Sequence, residues 1–144
     1  MSKEVSPARQ RRRAFGRIFQ KMQHAVPGIY LLQEGTHALR EGAHGWHFGL
    51  AVAEVVTSVV VFIALGRAIR KWRAETKDGG LPHAHHGIDW VDIFLGGMVF
   101  TEVWAKYMET GHITRPSILL GVVMILLGLF HGKIAHWRDG KSAN

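Results

Sequence analysis

The sequence predicts an all-α, multi-pass transmembrane helical bundle. Its apolar residues are collected in blocks, and the charged residues lie mainly between those blocks. Lys and Arg are concentrated near the N-terminus, in the 67–87 segment and near the C-terminus. Because such segments stay on the cytoplasmic side, four spans with both termini cytoplasmic in a plasma (inner) membrane are expected. The predicted spans are about 28–45, 48–66, 88–108 and 115–132.

Composition limits the class of protein further. A chain of 144 residues is expected to form one domain, here a membrane bundle over 28–144. The absence of Cys excludes disulfides, thiolate metal sites and cysteine nucleophiles. A net charge of +7 beside long apolar blocks favours an anionic membrane surface over nucleic acid as the partner.

The N-terminal region predicts a peripheral membrane contact. Residues 1–7 are expected to be a disordered tail. Residues 8–26 are basic and amphipathic, with Phe15, Ile18 and Phe19 at helical spacing and Arg or Lys on the other face. This pattern is typical of an interfacial helix on anionic headgroups.

The first predicted span, 28–45, is the least apolar of the four. Pro27 is well placed in the first turn of a helix. Glu34, Arg40 and Glu41 would each cost about 2.5–3.5 kcal/mol at a membrane centre, whereas a Leu or Ile contributes only about 0.3–0.6 kcal/mol. This helix therefore needs partners in the bundle or a re-entrant path. The alternative is three spans, with 28–73 as one long helix projecting from the membrane.

The later spans carry isolated ionisable residues. Residues 48–66 contain a single charge, Glu54, and the segment is followed by a basic and aromatic anchor. Asp89 is a good N-cap for the next helix. That span is interrupted by Asp92, Glu102 and Lys106. Ionisable groups inside a span usually face the bundle interior and mark a functional site.

A repeated Glu-Gly-x-His unit stands just before the clearest span. It occurs as Glu34 to His37 and again as Glu41 to His44, at a spacing of seven residues. On an α-helix these four side chains would share one face. A third Glu-x-x-His pair lies at Glu109 and His112. A pair at i and i+3 can reach one metal ion together.

These pairs are similar in ligand type to those of di-iron and di-manganese carboxylate bundles, which combine lone Glu residues with inward Glu-x-x-His pairs. Here the last span has no Glu, and two pairs share one helix. The sequence predicts a buried transition-metal site for redox or ion-coupled chemistry, with iron expected before manganese, copper or zinc. His37, Glu54 and Glu102 are expected to converge, with Arg40 balancing charge. The predicted ligands are Glu34, His37, Glu41, His44, Glu54, Glu102, Glu109 and His112.

Ion pairing is the simpler interpretation of the same residues. Glu102 and Lys106 are spaced i,i+4, and so are His37 and Glu41. In a bundle, Arg40 can neutralise a nearby carboxylate. The polar stripe would then be a satisfied network rather than a metal site.

Haem b is the alternative cofactor, in a quinone-handling membrane anchor. It needs His residues at matched depth on two helices. His44 and His112 are one candidate pair. His24 and His131, near the basic face, are the other.

A further alternative is a non-catalytic transmembrane subunit of a respiratory or photosynthetic complex, or a homo-oligomer. The polar stripe would then contact another subunit. The loop residues His83, His85 and His86 are interpreted as chance histidines. Enzymatic activity stays open, because the sequence has no phosphate loop, nucleophile elbow or zinc-protease motif.

Overall fold

The computed structural model describes residues 19, 22–77 and 88–141, and these residues are helical apart from short connections and caps. The predicted tail, most of the interfacial helix 8–26 and the loop His83–His86 lie outside the described residues. Within the described ranges the predicted all-α fold is confirmed. The helices are α1 (Ala25–Arg40), α2 (Trp46–Lys77), α3 (Trp90–Thr110) and α4 (Arg115–Lys141).

The helix boundaries differ from the predicted span boundaries at several ends, and α4, for example, continues beyond residue 132 to Lys141. α1 ends at Arg40, and the chain then turns through Gly42 at φ 80° and Gly45 at φ 60°. A single helix over 28–73 is therefore wrong. α2 continues well beyond residue 66 to Lys77, since the Arg, Lys and Ala residues of that segment are good helix formers.

The start and end of α3 follow from local capping. Asp89 lies in an extended conformation, and its side chain accepts a hydrogen bond from the backbone N–H of Val91. The predicted N-cap is thereby confirmed. Gly111 ends the helix at φ 70°, and its N–H bonds to the carbonyl of Tyr107.

The bundle consists of two helical hairpins. α1 packs along α2, α3 packs along α4, and the contact between α1 and α3 joins the two hairpins. α1 and α3 run in the same direction, because residues near the start of one contact residues near the start of the other. We call the end where α1 and α3 begin the basic end, since α2 extends there into its Arg- and Lys-rich segment.

The interior of the described bundle contains both apolar and polar side chains, and its hydrophobic core consists of Leu31, Val61, Leu95, Val99 and Met124. Five polar or charged side chains are buried between the helices: Glu54, Ser58, Asp92, Glu102 and Ser117. The outer faces instead expose many large apolar side chains, such as Val56 and Val60 of α2 and Phe94 of α3. Water-soluble monomers rarely expose so much contiguous apolar surface. Two segments, Trp46–Ala74 and Arg115–Ile134, are long and apolar enough to cross a membrane.

Candidate functional site

Polar side chains from all four helices meet in one layer of the bundle. We call this set the central polar layer. α1 provides two members, α2 one, α3 two and α4 one. The members are Tyr30, Glu34, Glu54, Glu102, Lys106 and Ser117.

Lys106 is the cation of this layer. Its ammonium donates a hydrogen bond to Oε2 of Glu34, which ties α3 to α1. The same Nζ lies 3.7 Å from Oε1 of Glu102, one turn earlier on α3. Tyr30 and Ser117 extend the layer, since the tyrosine hydroxyl donates to Oγ of Ser117 at 3.0 Å.

Glu54 is the most unusual member of the layer. Its side chain is fully buried, and neither carboxyl oxygen has a hydrogen-bond partner among the described residues. The carboxyl group of Glu102 lies within reach of Glu54, but two carboxyl groups form a hydrogen bond only when one of them carries a proton; Glu34 and Lys106 are the other charged neighbours. Ser58 does not satisfy it, because that hydroxyl donates to the backbone carbonyl of Glu54. A buried ionised carboxylate without partners is strongly unfavourable.

A close contact between α1 and α2 positions Glu54. A Cβ atom at Gly35 would lie 2.7 Å from the carbonyl oxygen of Ala51 and 3.0 Å from the Cβ of Glu54. Only glycine permits this approach, which is typical of helix contacts in membranes. The Glu54 side chain is therefore held against α1, in the layer that contains Glu34.

A second polar set lies at the basic end, and we call it the basic-end cluster. It consists of Gln23, His24, Asp89, Asp92 and His131. Nε2 of His24 lies 2.7 Å from Oδ1 of Asp92 and 3.7 Å from Oδ2 of Asp89. Nδ1 of His131 approaches the same Asp89 oxygen at 3.6 Å. Gln23 donates from its amide to Oδ2 of Asp92 at 3.0 Å.

Another glycine contact places the two aspartates. A Cβ at Gly128 would lie 2.7 Å from the carbonyl oxygen of Asp89 and 3.0 Å from the Cβ of Asp92. The carbonyl oxygen of Gly128 also accepts a hydrogen bond from the N–H of Asp89 at 3.0 Å. The first turn of α3 is thereby fixed against α4, with Asp92 fully buried.

The structure brings together only part of the predicted ligand set. Glu34, Glu54 and Glu102 share the central polar layer. The remaining predicted ligands are outside it and exposed to solvent or lipid: His37, Glu41, His44, Glu109 and His112. The three Glu-x-x-His pairs therefore do not project into one centre.

The prediction that His37 joins the buried centre is wrong. Its side chain is 63% exposed and lies 3.5 Å from Glu41, as the ion-pair interpretation expected. The face of α1 that packs inward contains Leu31 and Gly35. At about 100° per residue, His37 lies about 200° around the helix from Gly35. Arg40, which was expected to balance the carboxylate charge, is also exposed. Lys106 neutralises Glu34 instead.

The basic-end cluster was not predicted as a ligand set, although two signals were present. Asp92 interrupts an apolar block, and His24 and His131 were paired as haem ligands. Both rings do approach one place, but Oδ2 of Asp89 lies within 3.7 Å of each ring.

Comparison of the chain with protein-family models, with curated proteins and with solved structures found no match. Function is therefore argued from the two polar sets alone.

Proposed function

We propose that this protein is a four-span integral membrane protein whose central polar layer takes up and releases protons within the bilayer. Glu54 is the proton-exchanging group, Glu102 is its coupled neighbour, and Lys106 is the fixed counter-charge. The observation that carries the proposal is the fully buried Glu54 carboxyl, which accepts no hydrogen bond from the described residues and lies beside the carboxyl group of Glu102.

The apolar exterior supports four spans. In lipid, the exposed Val, Leu, Ile and Phe side chains are in an apolar solvent, and several polar groups inside the bundle pair with each other. Glu34 illustrates the second point, because Lys106 neutralises it inside the bundle. That ion pair offsets the insertion penalty expected for α1. Trp46 and Trp90, which are 55% and 70% exposed, begin α2 and α3 at opposite ends, as interfacial aromatic residues do.

The charge balance of the layer supports proton exchange. Three carboxyl groups, Glu34, Glu54 and Glu102, face a single ammonium group, Lys106. If all were ionised, negative charge would remain uncompensated in a low-dielectric interior, which is costly. Protonation of one carboxyl removes a charge without a structural change. A change in the surroundings of Glu54 would then release that proton.

A transition metal fits this layer less well than a proton. His37 is outside, so the layer offers carboxylates without imidazole. The Lys106 ammonium already stands where it neutralises two of the carboxylates. A divalent ion would have to displace it.

The topology is tested with reporter fusions. Fusions after residues 78, 112 and 144 should report inside, outside and inside, respectively. A C-terminus on the opposite side from residue 78 would contradict the four-span arrangement.

The proton site is tested by infrared difference spectroscopy of the purified protein in lipid. A pH step should produce a carboxylic acid C=O band that disappears in Glu54→Gln. Glu109→Gln is the matched control, because Glu109 is exposed at the end of α3. Loss of the band in the control, or its survival in Glu54→Gln, would contradict the assignment to Glu54.

A membrane-complex subunit remains the second candidate. It is favoured by the limited packing between the two hairpins, because α2 packs mainly on α1 and only slightly on α3. A subunit would purify with other chains at fixed stoichiometry under mild detergent. The mass of the detergent-solubilised particle distinguishes this candidate from a free-standing protein or a homo-oligomer.

A further inference from the structure

We propose that His24, Asp89 and Asp92, in the basic-end cluster, bind one divalent transition-metal ion. His24 lies at the start of α1, whereas Asp89 and Asp92 lie at the start of α3. The two helix starts are far apart in the sequence. One ligand atom from each lies within 4.8 Å of the other two. The site does not depend on proton exchange in the central polar layer.

Hydrogen bonds to Asp89 and Asp92 determine which oxygen of each carboxylate is available to a metal ion. Oδ1 of Asp89 accepts from the N–H of Val91, so Oδ2 is the oxygen that faces His24. Oδ2 of Asp92 accepts from the amide of Gln23, so Oδ1 is the oxygen that faces His24. One oxygen of each carboxylate is therefore held by a donor, while the other points into a shared space with Nε2 of His24.

The burial of Asp92 is a second observation, separate from the spacing of the three residues, that indicates a bound cation. Its side chain is fully buried, and Oδ1 has no hydrogen-bond partner among the described residues. Nε2 of His24 lies 2.7 Å from that oxygen, within the distance of an ion pair. A cation placed between such atoms satisfies a buried oxygen that is otherwise costly to leave unpaired.

The distances suit a small ion after minor side-chain adjustment. Zinc binds His nitrogen at about 2.0–2.1 Å and carboxylate oxygen at about 2.0–2.2 Å, which places neighbouring ligand atoms roughly 3–3.6 Å apart. The two His24 distances, 2.7 Å and 3.7 Å, lie on either side of that range.

The donor types select the class of metal. Imidazole favours zinc, iron, copper or nickel over magnesium and calcium, which prefer oxygen ligands alone. Three protein ligands leave at least one coordination position for water or another small molecule. His131 approaches Oδ2 of Asp89 and Gln23 binds Asp92, so both are positioning residues that orient the ligands.

The test uses the full-length protein in detergent, without a polyhistidine tag, stripped by a chelator and titrated with zinc sulfate in a calorimeter. The wild type should bind one zinc ion per chain tightly. Asp92→Asn and Asp89→Asn should each weaken this binding by at least about 100-fold, and His131→Gln by about 10- to 100-fold. His37→Gln is the matched control, because it removes an exposed imidazole and should leave the tight site intact.

Asp89→Asn is the variant that keeps the proposal testable if others unfold. Asn caps a helix as well as Asp does, so α3 should still begin at Trp90. X-ray absorption of the zinc-loaded wild type should show a nitrogen and oxygen shell with the scattering of one imidazole. Tight binding that is equal in the wild type, Asp92→Asn and Asp89→Asn would overturn the proposal, as would a wild type without a tight site.

Discussion

The central polar layer and the basic-end cluster both lie where a glycine lets two helices approach closely. Gly35 brings α1 against α2 beside Glu54, and Gly128 brings α4 against the first turn of α3 beside Asp92. Each set also contains a fully buried carboxyl group with at least one unbonded oxygen. The two sets differ in the basic side chain beside the carboxylates, which is Lys106 in the central polar layer and His24 in the basic-end cluster.

That difference decides the chemistry expected of each set. Lys106 carries its charge as an ammonium group on a flexible stem and cannot donate an electron pair while protonated. His24 is a metal ligand in its neutral form and carries charge only when protonated. A buried carboxyl group is therefore proposed as a proton site in the layer that contains Lys106, and as a metal ligand in the cluster that contains His24.

Removal of the Lys106 charge should have the largest effect on stability. Lys106→Met leaves Glu34 and Glu102 without their cation. We expect a loss of about 3 kcal/mol, at the lower end for breaking a buried ion pair because Lys106 is 37% exposed. The unfolding free energy in mixed micelles measures it.

The double variant Glu34→Gln, Lys106→Met sharpens this result. Removing both charges should recover part of the lost stability, since Glu34 no longer leaves an unpaired charge while Glu102 still lacks its cation. No recovery would mean that Lys106 acts through packing.

The two glycine contacts should respond alike. Gly35→Ala and Gly128→Ala each place a Cβ 2.7 Å from a backbone oxygen, which cannot move away easily. Each should lower the unfolding free energy by about 1–3 kcal/mol. Gly97→Ala is the control, because nothing lies within 4 Å of the added Cβ, and it should be neutral or stabilising. Equal effects at all three positions would contradict the close-approach argument.

Two substitutions of Asp89 should separate the contribution of its N-cap hydrogen bond to stability from the contribution of its charge. Asp89→Ala should cost about 1 kcal/mol through loss of the N-cap, whereas Asp89→Asn should retain the metal-free stability. Thermal unfolding in the presence of a chelator measures both. A large loss in Asp89→Asn would show that the charge itself stabilises the cluster with His24 and His131.

Tyr30→Phe should have the smallest effect of the four. It removes one hydrogen bond, to Ser117, and such bonds between membrane helices average about 0.6 kcal/mol. The unfolding free energy and the infrared band of Glu54 should both change little. Loss of that band would mean that the Tyr30 hydroxyl belongs to the proton path.

The sequence predicted the helices and part of the central layer because those depend on local pattern. Glu54 and Glu102 each interrupt an apolar block, and such residues usually face the interior. The prediction for His37 was wrong because a stripe of Glu and His residues along a helix does not specify which face packs inward. The close contact at Gly35 determines the face of α1 that packs against α2. The basic-end cluster needed the parallel contact between α1 and α3, which no local pattern specifies.

The length of α2 has a mechanical consequence. Its 32 residues form one helix of about 48 Å, whereas the hydrocarbon core of a bilayer is about 30 Å thick. Glu54 lies near one end of α2 and Lys77 is the other end. α1 packs along α2 from Gly35 beside Glu54 to Gly28 beside Val61 and Phe62, so a tilt of α2 would carry α1 with it. If the proposed change of charge at Glu54 tilted this hairpin by about 5°, the Lys77 end would move by about 3 Å, given a rise of about 1.5 Å per residue.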